Sequence, residues 1–185
     1  EEFVISSTGA LDLEALPKSV AIVGGGYIGL ELGCALAKLG SKITVVEGMS
    51  SVLAIMDKEI RRPLEIWLKK HKVTVHTDSL ARGVEIKGRG ASKKAELTFE
   101  KDGTEHKVKV DKVLVTVGRK PNTKGWGLEN TGVRMDGSGR FIRTDRQCRT
   151  SVPGVYAIGD VSGEPMLAHK ASAEGEMVAA IIAGQ

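Results

Sequence analysis

A glycine-rich turn between an apolar run and a helix-like segment constrains most strongly how this chain folds. Residues 20–23 form a continuous apolar run of the kind found in buried parallel strands. Gly24, Gly26 and Gly29 follow in the spacing G-x-G-x-x-G, and apolar residues then recur at helical intervals over residues 28–39. The pattern predicts a strand, a tight turn and a helix in immediate succession, the first unit of an α/β fold with a parallel sheet.

Each glycine of this turn has a separate role in such a unit. Gly24 permits the sharp turn after the strand, Gly26 lets the backbone approach a pyrophosphate, and Gly29 lets the helix lie close to the strand. Phosphates then lie against N–H groups at the helix N-terminus, where the helix dipole favours negative charge. The spacing therefore predicts a dinucleotide site, and the alternative is a glycine-rich turn with a purely structural role.

Glu47 indicates which dinucleotide is bound. It follows the next apolar run, Lys42–Val46, and lies 21 residues after Gly26. A carboxylate at this point can accept hydrogen bonds from both hydroxyls of the adenosine ribose, and it would repel the 2′-phosphate of NADP. The sequence therefore favours NAD over NADP, and the alternative for Glu47 is a solvated charge at the end of a strand.

Composition and charge exclude several other classes. The basic clusters at 69–72 and 93–94 contain no interleaved aromatic residues, so we expect no nucleic-acid binding. No apolar run approaches the roughly 20 residues that span a bilayer, so we expect no membrane association. Cys34 and Cys148 share no metal-binding or C-x-x-C spacing, so we expect neither a metal site nor a disulfide.

The remaining chain predicts a mixed fold with a change of character in its last third. A helix capped by Asp57 runs to about Lys70, with a kink or a late start at Pro63. Segments assigned as strands are 73–77 and 111–117 in the parallel sheet, and 83–87, 95–100 and 106–110 in an antiparallel meander. The last third predicts short strands over 132–150, a buried strand over 154–160 and a helix over 166–183.

Four motifs in the same order resemble the family of FAD-dependent pyridine-nucleotide disulfide oxidoreductases. They are residues 24–33, 117–123, 150–160 and 165–170, and the resemblance covers the chain from about Ile5 to Gln185. The last motif, Pro-Met-Leu-Ala-His-Lys, is typical of the dihydrolipoamide dehydrogenases within the family, whereas mercuric and glutathione reductases usually differ there. The resemblance therefore favours that branch.

The resemblance implies a set of NAD-binding residues. The glycine turn would hold the pyrophosphate, Glu47 the adenosine ribose, Leu80 the adenine, and Glu31 and Gly118 would lie near the nicotinamide. The full implied set is Gly24, Gly25, Gly26, Tyr27, Ile28, Gly29, Glu31, Glu47, Leu80 and Gly118. For Glu31, a solvated charge on the helix is the alternative.

The resemblance also implies residues that face FAD. Asp160 would accept hydrogen bonds from the ribityl chain, which agrees with its position at the end of an apolar run. The residues implied to border the flavin ring are Met166, Leu167, Ala168 and His169. His169 is not the catalytic base of the family, and no residue of this chain is expected to be catalytic.

The implied organisation is a Rossmann-like NAD-binding domain with a parallel sheet and an antiparallel β-meander, followed by an incomplete FAD-domain segment. Its expected boundaries are 1–8 for a connector from the FAD domain, 9–122 for the NAD-binding domain and 123–185 for the returning segment. The family's first FAD-binding glycine motif, its redox C-x-x-x-x-C pair and its His–Glu pair do not occur here. We therefore expect a central part of the enzyme that is inactive by itself and binds no FAD tightly.

For the intact enzyme, the resemblance implies oxidation of dihydrolipoamide by NAD+ through FAD and a redox disulfide. The implied partners are the dihydrolipoyl groups of a 2-oxo acid dehydrogenase complex, and the enzyme would be a homodimer. It would not be secreted, and would lie in the cytoplasm of a bacterium or in the mitochondrial matrix or plastid of a eukaryote. Two alternatives remain, a mercuric or glutathione reductase-like member and a non-catalytic nucleotide-binding module.

Overall fold

The structure, a computed structural model, describes residues 2–185, apart from the side chain of Ala91. It divides into two compact units, the first extending to Gly118 and the second comprising Arg119–Gln185. In chain order the first unit contains β1 (Val4–Ile5), α1 (Ser7–Leu11), β2 (Ser19–Val23), α2 (Tyr27–Leu39), β3 (Lys42–Val46), α3 (Lys58–Lys70), β4 (Thr74–His76), β5 (Ser79–Lys87), β6 (Lys94–Lys101), β7 (Thr104–Val110) and β8 (Lys112–Val115). The second unit contains helix α4 (Ala168–Ile182) and short 3₁₀ turns at Leu128–Asn130 and Gly159–Val161.

The parallel sheet of the first unit places β2 between β3 and β8. Its strand order is β1-β8-β2-β3-β4, and every neighbouring pair is parallel. After β2 the chain first builds the sheet outwards through β3 and β4, and it returns on the other side of β2 as β8. In open α/β sheets, ligands bind beyond the carboxyl ends of the strands where the chain reverses its direction of building.

Both faces of β2 are covered, which explains its continuous apolar run. Val20, Ala21 and Ile22 are completely buried. Val20 and Ile22 pack in a cluster with residues of α2, β3 and α3, whereas Ala21 packs with residues of the meander strands β6 and β7. The predicted α/β class with a parallel sheet is therefore confirmed.

The predicted antiparallel meander is confirmed as a separate sheet in the order β5-β6-β7. Alternate residues of β6, namely Ala95, Leu97 and Phe99, are at most 2% exposed and face the parallel sheet. The strands are longer than predicted, and β5 already begins at Ser79. Leu80, one of the expected cofactor residues, therefore lies on a strand.

Two expectations about the first unit are corrected. Helix α3 begins at Lys58, directly after its N-cap residue Asp57, so the late start predicted from Pro63 is wrong. Asp57 makes no side-chain capping bond. Residues 3–9 contain the edge strand β1 and the start of α1, and Val4 and Ile5 pair with Val113 and Leu114 of β8.

The strand predicted over 154–160 is wrong. Only one isolated antiparallel bridge forms there, between Tyr156 and Arg149. Gly159 then adopts a φ of +75° and starts a 3₁₀ turn. Its N–H donates to the Glu174 carboxylate and not to the backbone of a neighbouring strand. The following helix begins at Ala168, two residues later than predicted.

Asp111 connects the parallel sheet to the meander. Its carboxylate accepts hydrogen bonds from the N–H and the hydroxyl of Ser19, at 2.8 and 2.9 Å. It also forms an ion pair with Lys94. Partial burial alone would raise the pKa of Asp111, but the bonds from Lys94 and Ser19 outweigh burial and lower the pKa below its usual value of 3.8. The ionised carboxylate therefore stabilises the folded state.

We predict that Asp111→Asn lowers the free energy of unfolding at pH 7 by about 1 kcal/mol, because the charge-assisted bonds are lost. The pKa of Asp111 is lower in the folded protein than in the unfolded chain. Its contribution to the free energy of unfolding is therefore fully present above the unfolded pKa and is lost as the pH falls through the folded pKa. Urea denaturation between pH 3 and pH 7 measures this. Asp102→Asn, in the exposed turn between β6 and β7, is the control and should change little. Equal effects of both variants would contradict the prediction.

Gly29 allows α2 to approach β2 closely. A Cβ atom at this position would lie 2.4 Å from the carbonyl oxygen of Gly24 and 2.5 Å from Oγ1 of Thr116. Neither atom can move freely, because one belongs to the backbone and the other is held by hydrogen bonds to the carbonyl oxygens of Val23 and Gly24. The glycine is therefore required by packing.

We predict that Gly29→Ala lowers the free energy of unfolding by about 2–3 kcal/mol, the usual cost of overpacking a tight contact. Urea denaturation at pH 7 measures the loss. The control is Gly26→Ala, where a Cβ atom would meet nothing within 4 Å and the expected loss is below about 1 kcal/mol. If the control lost as much stability as Gly29→Ala, the close approach of helix and strand would not be the cause.

Candidate functional site

The glycine turn lies at the middle of the carboxyl edge of the parallel sheet. The N–H of Gly24 donates to the carbonyl oxygen of Val46 at the end of β3, at 2.9 Å. On the other side, the N–H of Thr116 donates to Val23 at 2.8 Å and its hydroxyl donates to Gly24 at 3.1 Å. Gly24 has a φ of +102°, and a Cβ atom there would lie 2.6 Å from the carbonyl oxygen of Thr116. The geometry of the turn itself therefore explains why residue 24 is a glycine.

Gly26 differs from Gly24 and Gly29, because the protein's own structure does not require a glycine there. Its φ and ψ of −77° and 178° are ordinary extended values. A Cβ atom built on Gly26 would meet nothing within 4 Å. The space before the N-terminus of α2 is therefore open, and a side chain there would intrude only on a molecule from outside.

The first turn of α2 presents the positive end of the helix dipole to this open space. Gly26 is the N-cap residue and has no side chain that could cap the first N–H groups. Tyr27 and Ile28 are half-buried, and the first turn contains no acidic residue. This combination of backbone donors and positive potential is suited to a phosphate group.

The carboxylate of Glu47 lies beside the glycine turn. One oxygen accepts the N–H of Gly25 at 2.5 Å, and the other accepts the N–H of Met49 at 2.7 Å. Each carboxylate oxygen can accept two hydrogen bonds, so each has capacity for one more. Gly25 itself is buried, and a Cβ atom there would lie 2.9 Å from Cγ1 of Val52. The structure therefore brings Glu47 to the turn with its remaining acceptor capacity intact.

Leu80 provides an apolar surface next to Glu47. The N–H of Ser79 donates to the carbonyl oxygen of Glu47 at 2.9 Å, which holds the start of β5 against the end of β3. The side chain of Leu80 is 53% exposed, and its Cδ2 lies 3.2 Å from the place of a Cβ atom on Gly48. An exposed leucine beside a carboxylate with remaining acceptor capacity suits the face of a planar base.

Glu31 and Gly118 are the two residues expected near the nicotinamide. Glu31 is exposed on α2, about one turn after the glycine turn, and within residues 2–185 its carboxylate makes no hydrogen bond or ion pair. Gly118 follows β8, has a φ of +133° and is exposed, and a Cβ atom there would meet nothing within 4 Å. Both residues are accessible to a ligand, and for Glu31 the alternative of a solvated charge stays open.

The sequence did not reveal the residues that support the glycine turn from behind. The N–H of Leu53 donates to the carbonyl oxygen of Gly25 at 2.9 Å, so the loop after Glu47 packs against the turn. Arg61 of α3 holds this loop through the hydroxyl of Ser51 and the carbonyl oxygen of Val52. No short spacing connects these residues, although an arginine on the buried side of a helix is itself an unusual signal.

In the second unit, Asp160 is half-buried in the 3₁₀ turn Gly159–Val161 and is paired with Arg119. The Nε and Nη2 atoms of Arg119 both lie 3.2 Å from Oδ2 of Asp160, so Oδ1 retains its full acceptor capacity. The sequence did not single out Arg119. It orients the carboxylate that was expected to meet a ribityl hydroxyl.

Lys170 and Glu174 connect the turn of Asp160 to helix α4. The Nζ atom of Lys170 donates to the carbonyl oxygens of Gly159 and Gly163, at 2.8 and 3.0 Å, and to the hydroxyl of Ser162. Glu174 accepts the N–H of Gly159 at 2.7 Å and lies 3.3 Å from Lys170. The turn and the start of α4 are therefore held together.

The segment expected to border a flavin ring lies at the start of α4. Leu167 is the N-cap residue and makes no side-chain capping bond, and the helix begins at Ala168. Met166 and Leu167 are half-buried, whereas Ala168 and His169 are exposed. The helix N-terminus thus has backbone donors that are not capped by its own N-cap side chain.

The two cysteines differ in burial, since Cys148 is buried and Cys34 is half-buried. Both are free, and burial is the main cause that raises the pKa of the Cys34 and Cys148 thiols. Within residues 2–185, no group of three or more His, Cys, Asp or Glu side chains could hold a metal ion. In the same part of the chain, the helices are too short or too polar to cross a bilayer.

Comparison with known proteins identifies similar sequences over nearly the whole chain. The chain is 46% identical over 181 residues to a dihydrolipoyl dehydrogenase of Geobacillus stearothermophilus, covering 98% of this chain and 37% of that protein. It is also 46% identical over 185 residues to the dihydrolipoyl dehydrogenase of Bacillus subtilis, covering 100% of this chain and 38% of that protein. The chain therefore spans less than half the length of these relatives.

Solved structures show the same fold. LpdA from Mycobacterium tuberculosis superimposes with a TM-score of 0.79 at 33% identity, over 94% of this chain and 36% of that one. The Cu(II) complex of the HOCl-induced flavoprotein disulfide reductase RclA from Escherichia coli superimposes with a TM-score of 0.80 at 27% identity. The match covers 98% of this chain and 40% of that one. A model of the pyridine nucleotide-disulphide oxidoreductases matches residues 2–175. The chain belongs to the pyridine nucleotide-disulphide oxidoreductase family.

Proposed function

We propose that the first unit binds NAD(H) at the carboxyl edge of its parallel sheet. The observation that carries the proposal is Gly26, a glycine with ordinary backbone angles and open space where a side chain would stand. Such a glycine is explained by a ligand that needs the backbone itself, as a pyrophosphate does. The pyrophosphate would lie on Gly25–Gly29, with its charge stabilised by the helix N-terminus.

The remaining residues define the ends of the dinucleotide. Glu47 would accept the adenosine ribose hydroxyls with its unused acceptor capacity, and Leu80 would cover the adenine. Glu31 and Gly118 would lie towards the nicotinamide. The same carboxylate excludes a 2′-phosphate through repulsion, so the site favours NAD(H) over NADP(H).

The second unit would form one wall of a flavin site. Asp160, oriented by Arg119, would accept a ribityl hydroxyl with Oδ1, and residues 166–169 would border the flavin ring. The uncapped start of α4 would place its positive end towards the ring. In this organisation residues 9–122 form the NAD-binding domain and 123–185 belong to the FAD-binding part, while residues 1–8 connect the two.

For the whole enzyme we propose dihydrolipoamide dehydrogenase activity, with NAD+ as electron acceptor and FAD as the group that relays the electrons. The 46% identity to dihydrolipoyl dehydrogenases over nearly the whole chain supports this branch. The proposed partners are the dihydrolipoyl groups of a 2-oxo acid dehydrogenase complex, the proposed assembly is a homodimer, and in a bacterium its location would be the cytoplasm. The residues described here would bind and orient the cofactors without taking part in thiol chemistry.

A substrate panel on the full-length gene product tests this assignment. Dihydrolipoamide with NAD+ should be turned over, whereas glutathione disulfide or mercuric ion with NADPH should not. Turnover of either of the latter would favour the reductase alternative. Absence of any turnover, with intact NADH binding, would favour a nucleotide-binding module.

We predict that Gly26→Val abolishes NADH binding and leaves the fold intact, because the side chain would occupy the space of the pyrophosphate. Isothermal titration calorimetry measures binding, and circular dichroism measures the fold. The matched control is Gly83→Val, since Gly83 of β5 also has open space around a Cβ atom. Unchanged NADH affinity in Gly26→Val would show that the turn has only a structural role.

We also predict that the protein binds NADH about tenfold to a hundredfold more tightly than NADPH, which corresponds to a repulsion of roughly 1–3 kcal/mol. Glu47→Gln retains the shape of the side chain and removes its charge, so the preference should narrow. The measurement is a pair of titrations with NADH and NADPH at one ionic strength. Equal affinities of the unsubstituted protein for NADH and NADPH would show that Glu47 does not select the cofactor.

A further inference from the structure

Three arginines line one cavity of the second unit, here called the arginine cavity. Its volume is about 400 Å³. The lining residues are Arg134, Arg143, Thr144, Asp145, Arg149, Thr150 and Ser151. Within residues 2–185, no ion pair within 4.0 Å involves any of the three arginines. The cavity therefore carries more positive charge than the one carboxylate of its lining neutralises.

The backbone brings these arginines together. Met135 and Ile142 form an antiparallel bridge, and the N–H of Arg143 donates to the carbonyl oxygen of Arg134 at 2.9 Å. Arg134 and Arg143 are therefore directly opposed, and directly opposed side chains project to the same face. The N–H of Arg134 also donates to the hydroxyl of Ser151 at 2.9 Å, which joins the segment that follows Arg149.

The three arginines are exposed, and within residues 2–185 no ion pair accounts for their arrangement. Like charges that face each other across antiparallel strands destabilise the pair. The one carboxylate of the lining, Asp145, accepts the N–H groups of Gln147 and Arg149 at 2.8 and 2.9 Å and so shapes its own turn. Three guanidinium groups and one carboxylate leave a net charge of +2 in the cavity.

We propose that the arginine cavity binds the phosphate group of a small phosphorylated molecule, at a site separate from the two cofactor sites. Arginine presents paired donors that match phosphate oxygens, which makes it the preferred residue for recognising such anions. The lining contains no aromatic or aliphatic residue, so it recognises the anion and not an attached ring. Without stacking residues the cavity is also unsuited to single-stranded nucleic acid.

Inorganic pyrophosphate is the probe that tests this proposal. It is titrated into the isotope-labelled protein with and without saturating NADH, so that binding at the glycine turn is recognised by competition. We expect NADH-independent shifts at the amides of Thr144, Thr150 and Ser151. Arg134→Gln and Arg143→Gln should each weaken this binding about tenfold, the effect of losing one charge-assisted hydrogen bond.

Arg146→Gln is the matched control, since Arg146 is an exposed arginine of the same segment that does not line the cavity. The affinity of Arg146→Gln for pyrophosphate should stay within about twofold of the affinity of the unsubstituted protein. Equal losses in Arg143→Gln and Arg146→Gln would indicate general attraction between charges and overturn the proposal. Unchanged binding in both cavity variants, with circular dichroism showing intact folds, would also overturn it.

Discussion

The candidate NAD site depends on the backbone hydrogen bonds that hold the glycine turn between two neighbouring strands. Val23, the last residue of β2, is paired with Val46 of β3 and with Val115 of β8. The bonds from Gly24 to Val46 and from Thr116 to Val23 continue these ladders beyond the strands. Glu47 and Thr116 reach the turn because each directly follows one of the strands that pair with β2. A register slip of one residue would move every side chain to the opposite face and dismantle the edge.

The parts of the fold that rest on local patterns could be predicted from the sequence. The continuous apolar run of β2 and the alternation of β6 each reflect burial that the strand itself encodes. Strand β1 could not be predicted, because two residues carry no periodicity and Val4 becomes a strand only by pairing with Val113. The apolar run before Asp160 wrongly predicted a strand for the same reason. A strand needs a paired neighbour, and Tyr156 forms only a single bridge, with Arg149.

The candidate site divides in the same way. The spacing of the three glycines predicted their structural roles at Gly24 and Gly29, while open space around Gly26 supports, without testing, the role proposed for it. Arg119 could not be connected with Asp160, because the two residues are 41 positions apart and share no motif. Lys170 and Glu174 did offer a signal, an opposite-charge pair at helical spacing. Nothing local showed that this pair would also bind the backbone of Gly159.

The complete burial of Val20, Ala21 and Ile22 in β2 has a consequence for how the molecule opens. An interior strand with partners on both sides and covered faces exposes its amides to solvent only when the whole unit unfolds, whereas an edge strand frays at much lower cost. The amide hydrogens of Val20–Ile22 should therefore exchange at the rate set by global opening, and those of β1 much faster. The glycine turn is attached directly to the most slowly opening element, so it keeps its shape while the periphery of the sheet fluctuates.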